Sequence, residues 1–435
     1  MVTTIDRWQN WAGNQSARPR RVITPRSAEE VAEAVKLATL DGLRVRMAGS
    51  GHSFTPVAVT DGVLLRPGGL RAVRTVDEVA GQVTVEAGCP LRVLNEYLAS
   101  GGLALANMGD IQEQTVAGAI QTGTHGTGRD LGSIAAQVTA LELVRADGSI
   151  VTTAADSDPA LFQAARVGLG ALGVLTAVTF QVVPAFLLEA REEPMRWAEV
   201  ISRLDELTSD NEHFEFYWFP HTDGCLTKRN NRTEGPARPL PGWRYRLDDE
   251  FLSNTVFGAT CRLGQRYPGT IPVINSIAGK ALGARRYVDT SHKVFTSPRR
   301  VRFKEQEYAI PREHLAGALA EIRGLFSRHE WRISFPIEVR VAPADDIWLS
   351  TASGRPTAYI AIHVFHRAAH EEYFRAVEEV LTAVGGRPHW GKLHTRDADY
   401  LHGVYPGLAN FVTLRDELDP ARRFSNRYLE RVLGS

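Results

Sequence analysis

A histidine inside a glycine turn is the first group in this chain equipped for chemistry. Residues 48–54 read Ala-Gly-Ser-Gly-His-Ser-Phe. Gly49 and Gly51 permit positive φ and let the backbone come close to a ligand. Successive N–H groups in such a turn can form an anion-binding nest, the usual way a glycine turn holds phosphate. His52 would then present a nucleophilic imidazole beside whatever the turn holds. The dinucleotide fingerprint G-x-G-x-x-G is not met: Phe54 stands where the third glycine belongs, and no βαβ unit is expected around the turn. Taken alone, the turn fits a solvated surface loop equally well. A second glycine segment, 122–128, reads Thr-Gly-Thr-His-Gly-Thr-Gly and carries His125. Two such turns in the first third of the chain point to one large phosphate-bearing cofactor gripped from two sides.

Three further places carry charge or a nucleophile. Residues 337–341 alternate strictly, so Ile337, Val339 and Val341 face one side of a strand and Glu338 and Arg340 the other. In a buried cleft that carboxylate and guanidinium could bind and polarise vicinal hydroxyls. From the residues alone, an ion pair on an exposed sheet face is the simpler account. His363 lies opposite Ile360, Ile362 and Val364, where a satisfied core or edge histidine is the ordinary outcome. Lys392 follows Trp390 and Gly391, a turn that a tryptophan can fix by packing. A lone lysine is otherwise a solvated charge. His389 and His394 are five apart, which suits no helical metal pair, and no metal site is expected there.

The elements that must position these groups are partly legible. Ser27 and Glu30 form a capping box, followed by Val31, Ala34, Val35 and Ala38 at helical spacing. Residues 43–47 read as a strand entering the His52 turn. Val83, Val85 and Ala87 alternate as a strand, and 91–98 reads as a helix. Segments 138–144 and 149–152 flank Asp147-Gly148, a hairpin signal. Residues 168–182 begin glycine-rich and continue as an apolar strand. This α+β half ends near Pro184. Beyond it the chain is richer in aromatics, and the polar, proline-bearing stretch 228–246 predicts a loop over the site or a mobile connection. Strands at 337–341 and 359–364 and a helix at 373–384 follow.

These motifs resemble those of flavoproteins of the vanillyl-alcohol-oxidase type. The string at 49–53 is similar to the one that attaches FAD covalently in sugar-lactone and alditol oxidases. Residues 388–392, Pro-His-Trp-Gly-Lys, match the signature of the aldonolactone oxidase branch, so the resemblance spans essentially the whole chain. It implies an α+β architecture. An FAD-binding domain of two subdomains would occupy 1–184 and a substrate-binding cap with an antiparallel sheet 185–385. Segment 386–435 would return to the first domain. It implies FAD bonded to His52 and contacted by Ala48, Gly49, Ser50, Gly51, Ser53, Thr115, Gly118, Thr122, Gly123, Thr124, His125 and Val174. Gly109 and Asp110 would lie beside the flavin C4a edge, where a glycine leans toward use of oxygen. It places Glu338, Arg340 and, less firmly, His363 in the substrate pocket, with Lys392 aimed at the flavin and the reacting alcohol. Asp110 and Phe365 depart from alditol oxidases, which carry serine and threonine there; both departures disfavour a linear polyol.

Bulk properties set the remaining bounds. A chain of 435 residues is too long for one compact core. Hydrophobic residues at 43% and charged residues at 23% fit a globular enzyme. Basic and acidic residues balance at 50 each, giving no reason to expect nucleic acid as partner. Cys89, Cys225 and Cys261 show no C-x-x-C spacing, so neither a disulfide framework nor a zinc site is expected, and none sits in a motif for a second flavin link. No apolar run approaches the roughly 20 residues that span a bilayer, and the first residues lack the apolar region of a secretory signal. A cytoplasmic enzyme is the expectation. The activity expected is FAD-dependent oxidation of L-gulono-, L-galactono- or D-arabinono-1,4-lactone, with oxygen or another electron acceptor. The alternatives are an alditol oxidase, a non-catalytic flavin-binding or electron-transfer protein, and a flavoenzyme of this fold for another donor such as an oligosaccharide or lactate.

Overall fold

The structure, a computed structural model, describes residues 2–3, 7–281 and 283–434. Its N-terminal part is built on two sheets. The smaller has parallel strands Arg21–Ile23, Val63–Leu65 and Val45–Met47, in that order. The helix Ala28–Leu40 connects the first and last of these three, and Val2–Thr3 pairs antiparallel outside Arg21–Ile23. Glu30 N–H donates to Ser27 Oγ at 3.3 Å, and the Glu30 carboxylate accepts from Arg26 N–H, closing the first turn. Val31, Val35 and Ala38 are fully buried against Val45, Val63 and Leu65. A βαβ unit therefore does lead into the His52 turn, which corrects the expectation that none frames it. Its strands are three residues long, too short to display a period of two.

The second sheet is antiparallel, ordered Ile150–Ala154, Val138–Val144, Val174–Gln181, Gln82–Glu86, Val73–Asp77. The hairpin at Asp147-Gly148 forms as its residues dictate, with Gly148 at φ +77 and Val144 opposite Ile150. Val83, Val85, Leu141 and Val178 turn inward onto Leu91, Leu94, Val116 and Ile120.

The largest sheet has eight antiparallel strands. Their order is Arg285–Thr290, Leu187–Arg196, Gly224–Thr233, His213–Trp218, Ile337–Ala342, Thr357–Phe365, Phe303–Pro311, Arg387–Pro388. One face packs on the helices Leu315–Arg328 and Glu371–Ala383 through Ile337, Val339, Val341, Ile360, Ile362 and Val364. Glu338, Arg340 and His363 are thereby turned to the other face. The first six residues of the expected loop at 228–246 are strand instead. Gly224–Thr233 pairs with Leu187–Arg196 along ten residues. Its polar side chains are matched across the sheet, Lys228 by Glu215 and Arg229 by Glu193. A polar strand of this kind looks like a loop until its partners are known.

The C-terminal residues pack on the N-terminal sheets. Val45 N–H donates to Arg423 O at 2.9 Å, and the buried Arg46 guanidinium reaches Phe424 O at 2.6 Å. Leu401, Leu408, Phe411 and Tyr428 join the same core as Val83 and Leu141. The three cysteines are buried and free. Among the described residues, no helix is long and apolar enough to cross a membrane.

Candidate active site

The two glycine motifs and the C-terminal Trp-Gly-Lys segment meet in space. Phe54 N–H donates to Gly391 O at 2.7 Å, and the Thr55 hydroxyl to Trp390 O at 2.9 Å. Trp390 is fully buried and its Nε1 donates to Leu349 O, so the loop carrying Lys392 is fixed. In the first turn only Gly51 has positive φ, at +74. Gly49 is needed for a different reason from the one expected: a Cβ there would fall 2.3 Å from Thr115 Oγ1. The N–H groups of residues 49–53 donate to no described protein atom, which leaves a row of free donors. His52 stacks on Trp11, with ring centroids 5.4 Å apart. Burial, with help from the Lys392 charge, pushes its pKa down to about 4, so its imidazole is neutral at physiological pH.

Lys392 docks on the strand Phe303–Pro311. His389 N–H donates to Glu307 O and Leu393 N–H to Glu305 O, and this pairing sets the ammonium between two carboxylates. Lys392 is ion-paired with Glu305, and Glu307 lies 4.0 Å away. Burial works against the lysine charge, yet Glu305 and Glu307 hold its pKa above the ordinary value. Glu307 also meets His125 Nε2 at 2.5 Å, and His125 stacks on Tyr359. His363 contacts Glu305 at 3.4 Å and Pro336 O at 3.3 Å. Sequence spacing compared His389 with His394, but His394 turns away to Tyr428. The structure instead groups His389 with His125 and Glu307, all three buried, with ligand atoms within 4.8 Å of one another.

Arg340 is held by carboxylates from its own strand, the adjoining strand and a loop. Its Nε donates to Glu215 at 2.8 Å, its Nη2 pairs with Glu338, and Asp110 lies 3.7 Å away. The Tyr217 hydroxyl lies within hydrogen-bond distance of both Glu215, at 3.0 Å, and Glu338, at 3.1 Å. Burial raises the Glu338 pKa; Arg340 opposes that rise and Asp110 and Glu215 add to it. Sequence reading missed Glu215, Tyr217, Glu305 and Glu307. The signal for the last two was present: Phe303, Glu305 and Glu307 share one strand face, and carboxylates two apart on an apolar strand are seldom buried without a cation.

Two cavities border this cluster. The first, about 920 Å³, is lined by the His52 turn, Thr115, Gly118, Thr122, Gly170 and Val174. The second, about 590 Å³, is lined by Gly109, Asp110, Thr124, His125, Arg340 and Lys392. They share His52, Ser53, Gln114 and Thr122, so an elongated ligand can run from one to the other. Glu338 and His363 stand behind the second cavity, touching it through Arg340 and Glu305. Ala48 and Gly123 line neither; Ala48 is buried beside Trp8, Val22 and Leu64.

The arrangement suits FAD. Free backbone donors at 49–53 can take the pyrophosphate, and Gln114 lines both cavities with a buried Oε1 that has no described partner. Gly109 can carry no side chain without displacing a neighbour, since a Cβ would meet Thr124 Cγ2 at 3.1 Å and His125 O at 3.2 Å. Fold and site together define an FAD-dependent oxidoreductase of the vanillyl-alcohol-oxidase type. The overall structure superposes on cholesterol oxidase from B. sterolicum with a TM-score of 0.85, covering 99% of this chain and 97% of that one at 18% identity, a likeness of fold. The FAD binding domain pattern matches residues 19–154, and the D-arabinono-1,4-lactone oxidase pattern matches residues 178–432. The chain belongs to the D-arabinono-1,4-lactone oxidase family. It is 43% identical to L-gulono-1,4-lactone dehydrogenase of Mycobacterium tuberculosis (strain ATCC 25618 / H37Rv), over 98% of this chain and 99% of that protein. It is 36% identical to L-gulonolactone oxidase of Bos taurus, over 98% of each.

One stability prediction arises from this site. His389 Nδ1 accepts a hydrogen bond from Gly391 N–H at 3.1 Å, which requires a neutral ring, and burial pushes its pKa down to about 4. Above pH 6.5 neither the folded nor the unfolded state protonates it. Between 6.5 and about 4 only the unfolded state takes the proton, so stability falls as pH falls through that window. Going from pH 7 to pH 5 should cost about 2 kcal/mol through this residue. Urea unfolding of wild type and His389→Gln at both pH values checks it: the variant should lose about that much less on acidification. Equal losses would refute the assignment.

Proposed function

We propose that this chain oxidises a secondary hydroxyl of an aldono-1,4-lactone, of the L-gulono-, L-galactono- or D-arabinono class, to an ascorbate-like product. The observation that carries the reading is that Arg340 and Lys392, each fixed by buried carboxylates, border the same cavity as His52. Bound FAD supplies the hydride acceptor, N5 of its isoalloxazine. The chain supplies position and electrostatics. The free N–H groups of residues 49–53 hold the pyrophosphate, and Thr115, Gly118, Thr122 and Val174 line its path. The neutral His52 is the attachment point for a covalent link. Lys392 and Arg340 lower the cost of losing the hydroxyl proton, since fixed cations in a water-poor cavity favour developing negative charge. Glu338 stands behind Arg340 and orients it for the substrate. His363 holds Glu305, and through it Lys392.

Glu307 already shares its charge with His125 and Lys392, and the reading assigns no metal to that group. Gly109 leaves the flavin edge open, which favours oxygen as acceptor, with another electron acceptor as the alternative. The reading places the enzyme in the cytoplasm, without nucleic acid as partner. Anaerobic mixing of the yellow protein with L-gulono-1,4-lactone and, separately, xylitol tests the substrate class through flavin absorbance. Bleaching by the lactone alone is expected. Bleaching by xylitol alone would make it an alditol oxidase, and bleaching by neither would sink the substrate class.

A further inference from the structure

The exposed apolar residues of this chain are not scattered. Fourteen large apolar side chains lie exposed among the described residues, and nine of them fall between Trp243 and Ile277. Single exposed apolar residues are ordinary, but such a concentration marks a surface that something covers. Three helical stretches carry it, Arg246–Val256, Phe257–Arg266 and Ile271–Ala281. Their inner sides are anchored. Asn254 holds Pro298 O and Arg300 N–H, Cys261 is buried beside Ser334, and the Asn275 amide donates to Pro220 O at 3.0 Å and Ile333 O at 2.9 Å. The second and third stretches meet where a Cβ at Gly264 would fall 2.7 Å from Ile271 Cγ1. The last helix is inverted. Its polar Asn275 is buried, while Val273 and Ile277, four apart on the outer side, are 61% and 62% exposed. Leu263 repeats the arrangement, exposed on the side of its helix away from Cys261.

We propose that this surface rests on an anionic lipid membrane, with its apolar side chains among the acyl chains and its arginines at the headgroups. Charge selects the occupant. The stretch 238–281 holds only three carboxylates, Asp248, Asp249 and Glu250, and each is paired, with Arg244, Arg285 and Arg300 respectively. Arg246, Arg262 and Arg266 are exposed and, among the described residues, pair with no carboxylate. The charge left over is positive, in a chain whose net charge is zero. A second copy docked here about a twofold axis would set that positive patch against itself. An anionic headgroup layer complements it. Trp243, 68% exposed, adds a ring of the kind that settles at the water–lipid boundary. The helices Phe257–Arg266 and Ile271–Ala281 have ten and eleven residues. That is about half the length that spans a bilayer, so the protein lies on the membrane and its bulk stays in the aqueous phase.

The test is sedimentation of the holoenzyme with phosphatidylcholine vesicles that contain or lack phosphatidylglycerol. Binding to the anionic vesicles is expected, with far weaker binding to the neutral ones. One arginine near such a surface is worth about fivefold in affinity, so replacing Arg246, Arg262 and Arg266 together by glutamine should weaken binding by roughly 100-fold. High salt should release the wild type as well. Val273→Ser combined with Ile277→Ser probes the apolar part and should weaken binding by about tenfold or more. Both sets of substitutions lie on the surface, so each variant should keep the wild-type flavin spectrum and urea midpoint. If one set does not accumulate, the other carries the comparison. Binding to neither vesicle, or binding that neither set changes, overturns the proposal. A lipid-free wild-type dimer that Val273→Ser with Ile277→Ser dissolves also overturns it, and gives the surface to a second copy.

Discussion

Lys392→Met should slow anaerobic flavin reduction by the lactone by about 10²- to 10³-fold, the cost of removing one preorganised charge from a developing oxyanion. It should also destabilise the protein. Lys392 is the cation between Glu305 and Glu307, both 5% to 6% exposed on the side chain. Removing one partner of a buried ion pair leaves a charge without compensation and costs about 3–5 kcal/mol. The two effects have separate origins, and a second substitution separates them. Glu305→Gln in the Lys392→Met background removes the stranded carboxylate, so the urea midpoint should recover most of its loss. The rate should stay low, because nothing restores a cation at the reacting alcohol. If the double variant regains the rate as well, Lys392 is a structural counter-ion and the catalytic role falls.

How far the sequence foretold this site depends on the distance between partners along the chain. Local devices were legible. Ser27 capping Glu30, the Asp147-Gly148 hairpin and the alternation at 337–341 each lie within a few residues, and each forms as read. The carboxylates that fix the cations were not. Glu305 lies 87 residues from Lys392 and Glu215 lies 125 from Arg340. Their meeting depends on the order of strands in the eight-stranded sheet, which puts His213–Trp218 beside Ile337–Ala342. No periodicity encodes strand order. The same holds for Gly224–Thr233, whose charges look like a loop until Leu187–Arg196 and His213–Trp218 supply their partners. Gly49 is a third case: the glycine was noticed for its freedom of φ, but the Thr115 hydroxyl packed against it is what forbids a side chain.

If FAD is bonded to His52 as proposed, His52→Ala should release free FAD when denatured while the wild type keeps it. The wild-type polypeptide should fluoresce on a denaturing gel, and the variant band should be dark. The variant should still purify yellow, because the free N–H groups of residues 49–53, Gln114 and the Thr115–Thr122 wall do not depend on the imidazole. A fluorescent His52→Ala band would move the link elsewhere, and a dark wild-type band would remove it. The pH dependence follows from the same environment. Only a neutral imidazole has a lone pair to bond with, and burial with the nearby Lys392 charge puts the His52 pKa at about 4. Covalent attachment to apo-protein reconstituted with FAD should therefore proceed at a constant rate from pH 8 to about 5. It should halve near pH 4. Lys392→Met removes one of the two causes of that depression, so the acid limb should move upward, toward the ordinary histidine value. An unmoved limb would mean that burial alone sets the His52 pKa and that the lysine field does not reach the attachment site.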